Sequence, residues 1–121
     1  MSNAINWFEL PATNFERAMN FYNQVLDAEL QPIEMGDIKM GFFPHADGGV
    51  GGAIACGEGY NPTADGPVIY LNGGEDLAIP LAKVVPAGGK VVLPKTSIGE
   101  NGFYAMFLDS EGNRVAFHSM N

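Results

Sequence analysis

A chain of 121 residues, 46% apolar and only 17% charged, has the make-up of one packed domain and not of a disordered segment, which needs low hydrophobicity and dense charge. Six basic against fourteen acidic residues give a formal charge of −8, which repels phosphate backbones and anionic headgroups and so argues against nucleic-acid and membrane partners. The start, Met1-Ser2-Asn3-Ala4-Ile5-Asn6, lacks the pattern of a signal peptide, and no apolar run approaches the roughly 18 residues of a bilayer span, so a cytoplasmic location is expected.

Ile5 to Leu10 reads as a strand. Thr13-Asn14-Phe15-Glu16 then has the S/T-x-x-E spacing of a capped helix start. Phe15, Met19, Tyr22 and Leu26, with Ala18 and Val25 beside them, form one apolar stripe at helical spacing. Glu29 to Glu34, Lys39 to Pro44 and Val50 to Cys56 follow as three β-like runs separated by turn formers, which completes the order βαβββ. Cys56 is the one cysteine, so no intrachain disulfide can form, and strand alternation turns it toward the helix-covered side as a small hydrophobe.

The same order recurs. Val68 to Asn72 reads as a strand, Asp76 to Val85 as a helix, and Lys90 to Leu93, Phe103 to Leu108 and Arg114 to Ser119 as strands. Met40 to Val50 aligns without gaps on Ala105 to Val115 at an offset of 65 residues, with Phe42 meeting Phe107 and Val50 meeting Val115. The strand-helix portion aligns at an offset of 62, placing Trp7 on Ile69 and Phe15 on Leu77. One domain is expected, with a first module of about residues 4–57, a Gly/Pro-rich linker over 58–66 that could act as a lid, and a second module of about 67–121. Pro80 inside the second helix predicts that it is kinked or shortened, and Gly88 suits a left-handed helix end.

Two βαβββ units, the helix motif Phe15-Glu16-Arg17-Ala18-Met19-Asn20-Phe21-Tyr22-Asn23-Gln24-Val25-Leu26 and the closing hairpin Asp109-Ser110-Glu111-Gly112-Asn113-Arg114-Val115 together resemble the vicinal oxygen chelate superfamily, the glyoxalase, bleomycin-resistance and extradiol-dioxygenase group. The resemblance implies an α+β fold in which the modules form a curved, mostly antiparallel, eight-stranded open sheet around a cavity. It also implies a homodimer, because a second copy often completes that cavity. Metal-dependent relatives place His, Gln or Glu ligands on the first and fourth strands of each unit. Those positions fall here on Trp7, Gly51, Ile69 and Ala116, which offer no carboxylate oxygen or imidazole nitrogen, so neither a metal nor another cofactor is expected.

Alternation puts Trp7 and Glu9 on one face of the first strand, and Ala116 and His118 on one face of the last. Glu9 is the candidate general base or orienting group, and His118 a candidate proton shuttle or polar anchor; a structural hydrogen bond is the plainer role for each. Trp7, Phe42, Phe107 and Tyr60 are the candidate ligand contacts, Trp7 as a stacking platform or as cavity filler. His45 sits in a turn and is expected to be solvated. The expected function is binding of a small neutral or cationic molecule in the sheet cavity, with metal-independent lyase or isomerase chemistry as one possibility. The alternatives are a metal-dependent lactoylglutathione lyase-like or dioxygenase-like enzyme and a non-catalytic, drug-sequestering binding protein.

Overall fold

The computed structural model describes residues 3–121; the reading of the chain's start as lacking a signal peptide rests partly on Met1 and Ser2, which lie outside the described residues. The first half forms β1 (Trp7–Ala12), α1 (Phe15–Leu26), β2 (Gln31–Met35), β3 (Ile38–Phe42) and β4 (Gly51–Cys56). The second forms β5 (Ile69–Asn72), α2 (Ala78–Leu81), β6 (Lys90–Ser97), a 3₁₀ turn (Gly99–Asn101), β7 (Phe103–Leu108) and β8 (Arg114–Ser119). The eight strands make two four-stranded sheets, ordered β1-β4-β3-β2 and β5-β8-β7-β6. In each, the first strand runs parallel to the fourth and the other pairs are antiparallel, so the doubled α+β order expected from the sequence is what the chain adopts.

Helix α1 lies in a core that both sheets share. Ala18, Phe21, Tyr22 and Val25 are buried on it, with Phe15, Met19 and Leu26 packing at the margins. Leu10, Ala12 and Ile54 of the first sheet and Leu71, Ala105, Phe107, Val115 and Phe117 of the second belong to the same buried cluster. The apolar stripe is therefore wider than a helix resting on one sheet requires, and Phe21 joins it by packing edge-to-face on Tyr22 and against Phe107. Burial of this apolar surface is the main term favouring the fold.

The start of α1 differs from the expected capping box. Asn14 is the capping residue, its side chain accepting from the Arg17 amide at 3.0 Å, and the reciprocal carboxylate comes from the closing hairpin instead of Glu16. Glu111 Oε1 accepts from the backbone N–H of Thr13 at 2.9 Å and of Asn14 at 2.8 Å, while its Oε2 meets Arg17 Nε at 2.6 Å. Beside it, Asp109 accepts from the buried Tyr22 hydroxyl at 2.6 Å and from the Asn113 side chain at 3.0 Å. Asn113 in turn donates to the Pro11 carbonyl at 2.7 Å, so the hairpin that marks the family resemblance is a latch between the two halves.

As expected from Pro80, α2 is short. Without an N–H, Pro80 cannot bond back to the Asp76 carbonyl, and the chain continues from Leu81 in tight turns to Gly88, whose φ of 109° is the left-handed conformation foreseen for it. β6 runs four residues beyond its expected end, to Ser97, because it is an edge strand whose register shifts accommodate Pro94.

Candidate functional site

Each sheet turns one face to the shared core and leaves the other open. On β1, Leu10 and Ala12 point inward with Phe8 beside them, so alternation turns Trp7 and Glu9 outward. Trp7 remains 40% exposed. Its indole N–H donates to Glu9 Oε2 at 3.2 Å, and the Tyr60 hydroxyl donates to Glu9 Oε1 at 3.1 Å from the segment joining the two halves. Phe42 of β3 meets the indole edge-on with ring centres 5.2 Å apart. Met40, Ala53 and Ala55 form a small buried cluster beneath, on which Phe42 and Tyr60 pack.

Gly51 makes this arrangement possible. A Cβ there would lie 3.0 Å from both the Trp7 ring and the exposed His45 ring, so any larger residue would force one or both rings to shift by a few tenths of an ångström. The hydrogen bond to Glu9, then the carboxylate's charge and then burial raise the Tyr60 pKa above its ordinary value and keep the hydroxyl a donor. The result is an open aromatic surface carrying one carboxylate. A separate, largely apolar cleft of about 930 Å³ lies between the halves, lined among others by Phe8, Phe43, His45, Ile69 and Leu71, and it excludes Trp7, Glu9 and Tyr60.

The structure thus brings Trp7, Glu9, Phe42 and Tyr60 together. It does not bring His118 to them. His118 points outward from β8 on the other sheet, its Nε2 2.6 Å from the Asn101 carbonyl of the 3₁₀ turn. Phe107 is corrected outright: it is fully buried between Phe21 and Phe117 and cannot touch a ligand on either open face. On β7 the outward residues are Tyr104 and Met106, while Ala105 and Phe107 are inward. The gapless repeat alignment matched an outward Phe42 to an inward Phe107 because the turns joining β3 to β4 and β7 to β8 differ by an odd number of residues.

The expected ligand position at Ile69 is likewise displaced. Ile69 pairs with Val115 and packs on the core, whereas Tyr70 pairs with Ala116 as Trp7 pairs with Gly51. The four outward positions are then Trp7, Gly51, Tyr70 and Ala116: an indole, a hydrogen, a phenol and a methyl. This donor set does not fit the divalent cation of metal-dependent relatives, which needs imidazole or carboxylate ligands. Among the described residues, no three His, Cys, Asp or Glu side chains converge as a metal site would require. On the second sheet Tyr70 and Tyr104 stack with ring centres 6.5 Å apart; the sequence offers Tyr104 as one of several third-strand aromatics of undecided face, whereas Tyr70 was missed, and a one-residue shift of strand parity would have found it.

Solved structures share this architecture. A glyoxalase/bleomycin resistance protein from Albidiferax ferrireducens matches 98% of this chain and 100% of its own at 12% identity, with a TM-score of 0.72. A glyoxalase I mutant from Zea mays matches 93% of this chain and 44% of its own at 18% identity and a TM-score of 0.70. The fosfomycin resistance protein FosX from Listeria monocytogenes matches 100% and 94% at 14% identity and a TM-score of 0.66. At these identities the likeness is one of fold. No curated protein matches the chain. The sequence pattern of one family, however, matches residues 4–117, nearly the whole chain, and with the doubled βαβββ architecture this places the protein in the Glyoxalase/Bleomycin resistance protein/Dioxygenase superfamily.

Proposed function

We propose that this protein binds a small neutral or cationic molecule on the open face of its first sheet, without the divalent metal of its catalytic relatives. Trp7, Phe42 and Tyr60 supply flat apolar surface, and the Glu9 carboxylate orients the ligand. The observation that carries this reading is the state of Glu9. Its two oxygens accept from Trp7 and Tyr60, and both ion pairs among the described residues, Arg17 with Glu111 and Lys95 with Asp76, lie elsewhere. An ammonium or other electron-poor group placed there meets an unneutralised carboxylate and aromatic faces, which attract cations. The net charge of −8 draws cations toward the protein and works in the same direction.

A second reading, metal-independent lyase or isomerase chemistry, is favoured by the Tyr60 hydroxyl 3.1 Å from Glu9, a proton donor beside a proton acceptor. The proposal includes a homodimer in the cytoplasm, in which a second copy completes the ligand cavity at its border; sedimentation of the purified protein tests the stoichiometry.

Trp7 is the only tryptophan, so its fluorescence reports on this face alone. Titration with benzyltrimethylammonium is expected to quench it saturably, and Glu9→Gln to weaken binding by about tenfold, the worth of one charged contact. Turnover left unchanged by Glu9→Gln would sink the proton-transfer reading. One tight equivalent of divalent metal per chain by elemental analysis would overturn the metal-free assignment.

A further inference from the structure

The strands of the second sheet, β5 to β8, contain no aspartate or glutamate, although the chain has fourteen such residues. Charge is therefore segregated: Glu9 lies on the open face of the first sheet, and the open face of the second carries cations. Alternation turns Arg114, Ala116 and His118 outward on β8, since Val115, Phe117 and Ser119 are buried. Arg114 stands across from Leu108, which pairs on its other side with Lys90 of β6, so two cations flank one row of this face. Further rows hold the stacked Tyr70 and Tyr104.

Arg114 is the exceptional residue. Arg17 is paired with Glu111 and Lys95 with Asp76, whereas Arg114, like Lys39, Lys83 and Lys90, has no carboxylate partner among the described residues; what sets it apart from those lysines is a buried donor. It is half-buried, and its Nε is shielded from solvent with no hydrogen-bond partner. A guanidinium presents five donors in a fixed fork that matches the oxygens of a carboxylate or phosphate, and leaving such donors buried and unpaired is costly. No strand of this sheet carries a carboxylate to compete for that fork, and the two acids of the adjoining hairpin are engaged elsewhere, Glu111 by Arg17 and Asp109 by Tyr22 and Asn113.

We infer that the open face of the second sheet is an oxyanion site, in which the Arg114 guanidinium grips the carboxylate or phosphate of a small ligand and Tyr70 and Tyr104 take its planar body. This site is separate from the Glu9 face and does not depend on the proposed function, because none of its residues belongs to that surface.

Benzoate and inorganic phosphate serve as probes and benzyl alcohol as the uncharged control, with binding followed by amide NMR shifts. Benzoate is expected to shift Tyr70, Tyr104 and residues 114–118 and to bind at least tenfold more tightly than benzyl alcohol. Phosphate shifting residues 114–116 alone would assign the grip to the anion, and benzoate outbinding phosphate would assign the rest to the tyrosines. Arg114→Gln should weaken benzoate by about tenfold or more and Arg114→Lys by less, with thermal melts showing both variants folded. Equal affinity for benzoate and benzyl alcohol, shifts confined to residues 7–60, or unchanged benzoate binding in Arg114→Gln would each overturn the site. So would sedimentation showing that Arg114→Gln dissociates a dimer that benzoate leaves intact, since the partner of Arg114 would then be a second copy's carboxylate.

Discussion

Replacing Glu111 with glutamine keeps the shape of the side chain and removes its charge, and the structure sets the size and pH dependence of the effect. Burial pushes the Glu111 carboxyl up, but the Arg17 guanidinium, the amides of Asn14 and Thr13 and the Ser110 hydroxyl outweigh it and hold the pKa at about 2, against an ordinary 4.5. Such a depression is worth at most about 3 kcal/mol of folding stability. The Glu111 side chain is only 1% exposed, yet Arg17 is 52% exposed, so solvent screens the ion pair and about 2 kcal/mol is the expected loss in Glu111→Gln at pH 7. Because the folded pKa lies below the unfolded one, this contribution is complete above pH 4.5 and fades as pH falls toward about 2. Urea unfolding followed by circular dichroism at several pH values measures it. The difference between parent and variant should be flat from pH 7 to about 5 and shrink steadily below that. A loss under about 0.5 kcal/mol at pH 7, or one that persists undiminished at pH 2.5, would refute the reasoning.

Tyr22→Phe removes the 2.6 Å hydrogen bond to buried Asp109, which keeps its Asn113 contacts, and should cost about 1 to 3 kcal/mol by the same urea measurement. Gly102→Ala places a Cβ against the Ser119 carbonyl oxygen at a residue whose φ is 99°, and a loss of about 1 to 3 kcal/mol in thermal or urea unfolding is expected.

Trp7 and Glu9 were legible because β1 alternates cleanly: Phe8, Leu10 and Ala12 seek the core, which forces the intervening residues outward. Phe107 and Ile69 were not, for one physical reason. Phe103 to Leu108 and Val68 to Leu71 are apolar on both faces, so hydrophobic pattern carries no parity there, and only pairing to a neighbouring strand decides which side is inward. The placement of His118 fails differently: its strand and face were read correctly, but which open face it shares depends on how the two sheets pack around α1. Glu111 was visible as part of a turn motif, while its service to a helix 94 to 98 residues earlier could not be read from local spacing.

That separation bears on how the chain is made. During synthesis from the amino terminus, the first helix emerges with the amides of Thr13 and Asn14 at its start unsatisfied, and the carboxylate that completes them arrives only after the second βαβββ unit has been almost fully extruded. Contacts between such distant positions must wait for a large loop to close, which slows folding and leaves the early half exposed to wrong partners meanwhile. The last hairpin therefore acts as a timing device: native packing is sealed late, at a single acidic turn.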